Sequence, residues 1–247
     1  MHKIAAVIIT FNEEKNIRRC LESIRDIADE IIIIDSYSTD NTKAICSEYK
    51  VNFIEAEWLG YSKSKNLGIK RSQFSYILSL DADEELSEAL RTQILQEKKK
   101  GLENAYSFNR LSNYCGKWIH HGDWYPDRKM RLWNKEDGEW EGDIHESVIL
   151  KKGIKVNHLK GDIHHYSYYS IDEHIDQINK YSGLSANDLR RRNKKAGFIK
   201  LVVSPYIQFG RSYIIKLGFL DGFEGFAIAL ITAFGTFLKY AKLRKMN

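Results

Sequence analysis

Over the first hundred residues, short β-branched runs alternate with amphipathic stretches. Ile4 to Ile9, Ile31 to Ile34, Val51 to Ile54 and Tyr76 to Leu80 are apolar runs of strand length. Between them, segments starting near Glu13, Asp40 and Tyr61 read as helices. Asp40 is placed to cap the second of these, because its carboxylate can accept a hydrogen bond from an amide left without a partner in the first helical turn. Strand and helix alternation of this kind predicts a parallel α/β sheet. In such sheets ligands sit beyond the carboxyl ends of the strands, where loops and helix N-termini converge. The polar clusters that follow these strands are therefore expected to face one crevice.

From residue 101 to 165 the pattern changes to a mixture richer in aromatics and glycine, which predicts shorter strands and loops holding most of the tryptophans. Helical periodicity returns from about Ile171 through Asn193, and the run Arg190-Arg191-Arg192-Asn193-Lys194-Lys195 leads into an apolar terminus. There Phe223, Phe226, Ala227, Leu230, Ile231, Phe234, Phe237 and Leu238 recur at helical spacing and form one apolar face. The uncharged stretch from Gly225 to Leu238 has 14 residues. A bilayer-spanning helix needs about 20. Lys239, Lys242, Arg244 and Lys245 follow, a layout suited to lying in an anionic membrane interface. The other reading is a helix packed on the catalytic domain or on a second subunit.

Composition narrows the class. With 247 residues, 43% of them hydrophobic, the chain can bury one sizeable core plus a smaller appended element. Cys20, Cys46 and Cys115 are odd in number and widely spaced, with neither a metal-ligand cluster nor a disulfide framework, so a reducing cytoplasm fits. Met1-His2-Lys3 followed by Ile4 to Ile9 lacks a long apolar core and a small-residue cleavage site, and reads as a first strand rather than a signal peptide. The formal net charge of +5 is unevenly spread: residues 190 to 247 carry 12 Lys plus Arg against 2 acidic residues. A basic tail on a mildly acidic body points to an anionic surface as partner. Because the tail is also strongly apolar, that surface is read as membrane and not nucleic acid.

The sharpest chemical signal is Asp81-Ala82-Asp83-Glu84, directly after the run Tyr76 to Leu80. Two carboxylates two residues apart in a loop can approach one hard divalent cation, which also takes diphosphate oxygens. An acidic helix N-terminus, stabilised by the helix dipole, is the structural alternative. Thr10-Phe11-Asn12-Glu13 ends the first strand, Asp35-Ser36-Tyr37-Ser38-Thr39-Asp40 ends the second, and Gly60 to Gly68, containing Lys65-Asn66, precedes the acidic strand. In their order and spacing these four motifs resemble the inverting, GT-A-fold glycosyltransferases of family two.

That resemblance implies roles. Thr10, Asn12 and Glu13 line the nucleotide pocket, Asp35 holds the base or ribose, Lys65 and Asn66 sit over the donor, Asp81 binds the ribose or a metal-bound water, and Asp83 is the principal metal ligand. Asn12 and Asp40 can instead merely cap helices, and Lys65 can be a solvated residue. The segments Trp124 to Trp133, Trp140 to Glu146 and His164 to Tyr168 resemble most closely the lipopolysaccharide core β-1,4-glucosyltransferases, which add a hexose to the inner-core heptose, and the likeness extends through Gly218 to Gly222. It implies a nucleotide-sugar-binding half at 1–100, an acceptor-binding half at 101–168, and a helical, basic and apolar extension at 169–247.

Inverting transfer requires one carboxylate to take the acceptor hydroxyl proton while that oxygen attacks the anomeric carbon opposite the leaving diphosphate. Glu146 is the candidate base, with Asp143 and Glu141 as rivals. The leaving diphosphate gains charge, so a divalent cation, helped by Arg128 or Arg131, should stabilise it; those arginines can also be paired surface charges. One of His164 and His165, with His165 the candidate, could complete the metal shell, imidazole suiting Mn better than Mg. A histidine buried among Tyr166, Tyr168 and Tyr169 is the alternative. Trp118, Trp124, Trp133 and Trp140 either stack on sugars or fill the core.

The sequence thus predicts an α/β, Rossmann-like GT-A nucleotide-diphospho-sugar transferase domain with a helical, membrane-associating C-terminal extension. The expected activity is transfer of a hexose, glucose from UDP-glucose, with a divalent cation (Mg or Mn), onto a lipid-linked saccharide acceptor, the heptose of the lipopolysaccharide inner core. The protein is expected in the cytoplasm, peripheral on the inner face of the cytoplasmic membrane and able to form a homo-oligomer. Another envelope or polyprenyl-linked glycan would be served by the same residues. A nucleotidyltransferase is a different class, but it calls for an early Gly-rich loop cradling a triphosphate, where this chain has Thr-Phe-Asn-Glu. A non-catalytic membrane adaptor that keeps nucleotide binding is a third.

Overall fold

A computed structural model of the chain describes residues 2–142 and 146–246. The elements run β1 (Ile4–Thr10), α1 (Ile17–Ile24), β2 (Glu30–Asp35), α2 (Thr42–Ser47), β3 (Asn52–Glu55), α3 (Tyr61–Arg71), β4 (Tyr76–Asp81), β5 (Glu84–Leu86) and α4 (Glu88–Lys100). There follow β6 (Ala105–Tyr114), β7 (Lys117–Ile119), β8 (Asp127–Asn134), β9 (Gly138–Glu141), β10 (Ser147–Leu150) and β11 (Val156–Tyr168). The chain closes with α5 (Ile171–Arg191), α6 (Phe198–Gly210), a π-helical turn (Arg211–Ile215), a 3₁₀ turn (Gly218–Asp221) and α7 (Gly222–Met246).

The first four strands pair in parallel in the order β3-β2-β1-β4, as the alternation of apolar runs and helices predicts. β1 is buried at all seven positions because it is covered on both faces. Ile4, Ala6 and Ile8 pack with Ile17, Leu21 and Ile24 of α1 on one side, while Ala5, Val7 and Ile9 pack with Ile69 of α3 on the other. Each such Ile or Leu contributes about 1.5–3 kcal/mol on leaving water. α3 lies so close to the sheet that a Cβ at Gly68 would come 2.5 Å from Val7 Cγ1.

Beyond β4, past the strands for which parallel pairing is expected, the sheet turns antiparallel. β8 pairs antiparallel with both β4 and β6, and the order continues through β11 to β5. The cause is the spacing of helices: among the described residues none lies between α4 and α5. Parallel neighbours need long crossover connections, whereas antiparallel ones can be joined by short loops. Nor are these strands all short, since β6 has 10 residues and β11 has 13.

Residues 1–110 with 127–165 form one compact unit, and 111–126 with 166–247 form a second. This division differs from the expected boundaries near 100 and 168. Residues 111–126 join the C-terminal helices because Tyr114 and Ile119 are buried with Ala227 and Ile228 of α7, against Trp124 and Tyr168. In the same unit α5 begins at Ser170, whose hydroxyl accepts the amide of Glu173 at 3.2 Å. Together the 3₁₀ turn and α7 make a helical span, Gly218–Met246, of 29 residues with a window of mean hydropathy 1.4. By length and composition alone it is able to cross a membrane, a longer element than its uncharged run suggests.

Candidate active site

Strand register assembles the site within the first unit. Thr10 lies opposite Asp35 at the carboxyl ends of β1 and β2, and Ile9 lies opposite Asp81 on β4. Thr10 Oγ1 donates to Asp35 Oδ1 at 2.7 Å. Asp35 is buried and also accepts from the amide of Ser38 at 2.8 Å and from its hydroxyl at 2.6 Å. The loops after β1 and β2 are laced together: the Asn12 amide donates to Ser38 Oγ at 2.8 Å, and Asn12 Oδ1 accepts the Thr39 amide at 2.8 Å. Asn12 and Tyr37 both adopt left-handed backbone, with φ of 55° and 58°. Such conformations cost energy outside glycine, least for Asn, and collect at functional loops. Asp40 Oδ1 accepts the Thr42 amide at 2.9 Å, so it caps the first turn of α2 from one residue further out than the helix boundary.

Asp81 lies between two cations. Lys65 Nζ is 2.9 Å from Oδ1 and Arg131 NH2 is 3.0 Å from Oδ2. Burial alone would raise the Asp81 pKa, but Lys65 and Arg131 outweigh it and hold the carboxyl well below the usual range. Arg131 also donates to Glu84 at 2.7 Å, and Glu84 accepts the Asp81 amide at 3.0 Å through its other oxygen. Burial would lower the Arg131 pKa, yet Glu84 and Asp81 keep the guanidinium firmly charged. Lys65 is 1% exposed, which rules out the solvated reading of that residue, and its ammonium sits 4.3 Å from the centre of the Trp140 ring. The same ammonium reaches Glu146 Oε1 at 3.5 Å, linking the aspartate at the end of β4 to the candidate base. Asn66 makes two bonds to the backbone of Trp140, accepting its amide at 3.1 Å and donating to its carbonyl at 2.9 Å. Ser62 donates to the Gly142 carbonyl at 2.5 Å, so three positions on one face of α3 hold Trp140, Gly142 and Glu146.

Asp83 faces His165, with Oδ2 and Nε2 3.1 Å apart, while the neighbouring His164 approaches Glu85 Oε1 at 3.2 Å. Glu13 is pushed up to about 7, first by burial, with a hydrogen bond from Asn16 opposing and the charges of Asp83, Asp40 and Asp81 adding. Among the described residues no group of three His, Cys, Asp or Glu stands ready-made around a metal position. Arg128 is exposed on β8. Asp143 lies outside the described residues. Trp133 and Trp140 are buried edge to face at 5.9 Å, a core role, although Trp140 also receives both site cations.

Several groups escape a reading of the sequence. Glu84 looks like the tail of an acidic triplet, yet it is fully buried as the partner of Arg131. Arg110 approaches Glu84 at 3.8 Å and pairs with Asp127 at 2.8 Å. At the start of α3, the exposed Trp58 and Tyr61 pack edge to face at 4.8 Å, with Gly60 between them at φ 92°. Arg131 Nε and Nη1 and Trp140 Nε1 are buried donors without a hydrogen-bond partner among the described residues. Buried donors are normally satisfied.

The family model "Glycosyl transferase family 2" matches residues 5–156, a stretch that includes the parallel strands ending in Thr10, Asp35 and Asp81. The chain belongs to glycosyl transferase family 2. An uncharacterised glycosyltransferase of Rickettsia bellii is 33% identical over 262 residues, covering 99% of this chain and 87% of the relative. The lipopolysaccharide core biosynthesis glycosyltransferase LpsC of Rhizobium meliloti is 30% identical over 249 residues, covering 97% and 91%. Among solved structures, S. aureus TarS 1-349 aligns with a TM-score of 0.49 at 14% identity, over 98% of this chain and 90% of that one. The family 2 match covers β1 to β4 and most of the antiparallel strands, and with the mixed α/β sheet it gives the GT-A class expected from the motifs.

Proposed function

We propose that this family 2 enzyme is a metal-dependent, inverting transferase that moves glucose from UDP-glucose to a lipid-linked acceptor, the heptose of the lipopolysaccharide inner core, at the cytoplasmic face of the membrane. The observation that carries the reading is the single buried ammonium of Lys65, shared between Asp81 on the donor side and Glu146 on the proposed acceptor side. It brings both carboxylates to one ammonium and so places the proposed base beside the donor-side aspartate; inverting transfer needs such a base to take the acceptor proton. The likeness to LpsC, a lipopolysaccharide core biosynthesis glycosyltransferase, supports an acceptor in the lipopolysaccharide core.

Asp83 and His165, 3.1 Å apart, fit a divalent cation by the chemistry of their donors, a hard carboxylate oxygen and an imidazole nitrogen. Glu13 senses the negative charge of Asp83 and Asp81. When bound, such an ion supplies electrostatic stabilisation to the departing diphosphate. The protein's own groups do the rest. Asp35, fixed by Thr10 and Ser38, orients the base or ribose. Arg131, tied to Asp81, would lend its positive charge to the diphosphate side of the donor. Glu146 takes the proton of the attacking hydroxyl.

Incubation with UDP-glucose, Mn and a heptose-terminated lipid acceptor should release UDP only when the acceptor is present. Glu146→Gln should lower kcat by about 10²–10⁴ with its circular dichroism unchanged. Transfer confined to a polyprenyl-linked glycan would replace the acceptor assignment, and full activity of Asp83→Ala in chelator would remove the metal.

A further inference from the structure

The second unit carries an apolar face that the catalytic reading does not use. None of the 13 residues of α6 is buried, and Ile199 and Tyr206 are 77% and 76% exposed. Ring contacts show that α6 and α7 run antiparallel: Phe209 meets Phe226 at 5.9 Å, Lys200 lies 5.4 Å from the Tyr240 ring and Arg244 lies 5.9 Å from the Phe198 ring. Ile215 in the π-helical turn and Phe223, Leu230 and Phe234 on the outer stripe of α7 extend the same exposed apolar surface.

α7 is long and apolar enough to span a bilayer, but its packing argues otherwise. A Cβ at Gly235 would come 2.7 Å from Ile178 Cγ2, so α7 lies flush on α5. Lys242 locks the pair, donating to the carbonyl of Asn179 at 2.7 Å and to the hydroxyl of Ser182 at 2.9 Å. α5 exposes Asp172, Glu173, Asp176 and Lys180, which a spanning α7 would drag into hydrocarbon. The start of α7 is held too: Lys117 bonds Glu224 at 3.0 Å, and Asp221 accepts the His121 amide at 2.8 Å. α6, at about 1.5 Å per residue, is about 20 Å long. The hydrocarbon core is about 30 Å thick.

We infer that α6, the turn after it and the outer stripe of α7 form an in-plane membrane-embedded face that enters one leaflet rich in anionic lipid without crossing it. The inference deepens the membrane-surface part of the proposed function and rests on it. Charge selects the lipid. Lys194, Lys195, Lys200, Lys239, Arg244 and Lys245 gather at the end where α6 begins and α7 finishes. From residue 194 to 246 the acids are Asp221 and Glu224, both already paired. A second copy of the chain is disfavoured as occupant, because a two-fold contact through this face would press one cationic patch against itself.

Two measurements test this on the full chain. Flotation with phosphatidylcholine vesicles containing phosphatidylglycerol should show binding that weakens by about tenfold or more in Ile199→Glu and again in Ile207→Glu, and weakens in salt. Both residues are exposed, so folding should be unaffected. Equal binding by these variants, or a lipid-free dimer that Ile199→Glu splits, overturns the proposal. In cells, an impermeant maleimide reports topology through the native exposed Cys115 and a Lys245→Cys variant. Protection of both in intact cells and labelling of both in inverted membranes supports the in-plane face; labelling of Lys245→Cys alone in intact cells shows a spanning helix and overturns it. Ile199→Glu should still transfer sugar to detergent-dispersed acceptor. If the wild type floats but transfers nothing, the catalytic reading fails and this one stands.

Discussion

The residue that organises the site is Lys65, because one buried cation faces two carboxylates at 2.9 Å and 3.5 Å. Removing one partner from a buried ion pair leaves the other charge uncompensated and costs about 3–5 kcal/mol. Arg131 remains beside Asp81, so Lys65→Met should destabilise the fold by less than that, while releasing Glu146. The account predicts that kcat of Lys65→Met falls at least about 10²-fold with a smaller change in the KM for donor, and that adding Glu146→Gln costs little more. Additive losses in steady-state kinetics would show that the two residues act independently. His174 gives a second test at this scale. It is buried beside Tyr114, 3.2 Å from that hydroxyl, and burial pushes its pKa down to about 4 from 6.5. The unfolded chain therefore binds a proton that the folded chain refuses, so this contribution to stability is complete above pH 6.5 and is lost as pH falls from there towards 4. The loss approaches about 3 kcal/mol at 1.36 kcal/mol per pKa unit. Urea unfolding of the wild type and of His174→Phe across that range should show the steeper decline in the wild type.

Among the elements, β1, β2 and β4 were legible because each is a mostly apolar run between polar loops, as burial on both faces requires, whereas β3, an edge strand with no buried residue, was marked only by Val51, Phe53 and Ile54. β11 was harder to see: most of its first residues are exposed, and only Leu159 and Ile163 are buried. Its length follows from pairing with other strands, which no local pattern encodes. The same limit applied to the site. Asp35, Asp81 and Asp83 stood out by motif, but the burial of Lys65 did not, since a lysine on an amphipathic helix is ordinarily solvated. Trp140 and Glu146 are far from α3 in sequence, and it is the tertiary contact with α3 that buries the cation. Gly68 is a place where motif and packing agree. Its Cβ would collide with Val7, so Gly68→Val should cost about 1–3 kcal/mol through overpacking, measured by thermal unfolding, and should push α3 with Lys65 and Asn66 off the sheet. An unchanged melting temperature would mean that α3 does not sit where it is described.

At the scale of the whole molecule, charge and apolarity are sorted along the chain. The family 2 match covers a mildly acidic region, whereas residues 190–247 combine twelve basic residues with the exposed apolar faces of α6 and α7. The proposed transfer to a lipid-linked acceptor would use both: a soluble donor handled by polar loops at strand ends, and an acceptor met at a membrane surface. Isothermal titration of UDP into the wild type and Asp83→Ala, with Mn and with chelator, tests the central claim most directly. The account predicts that the wild type binds UDP much more tightly with Mn than in chelator, and that Asp83→Ala loses this gain while staying folded. Equal UDP affinity in all four titrations would contradict it.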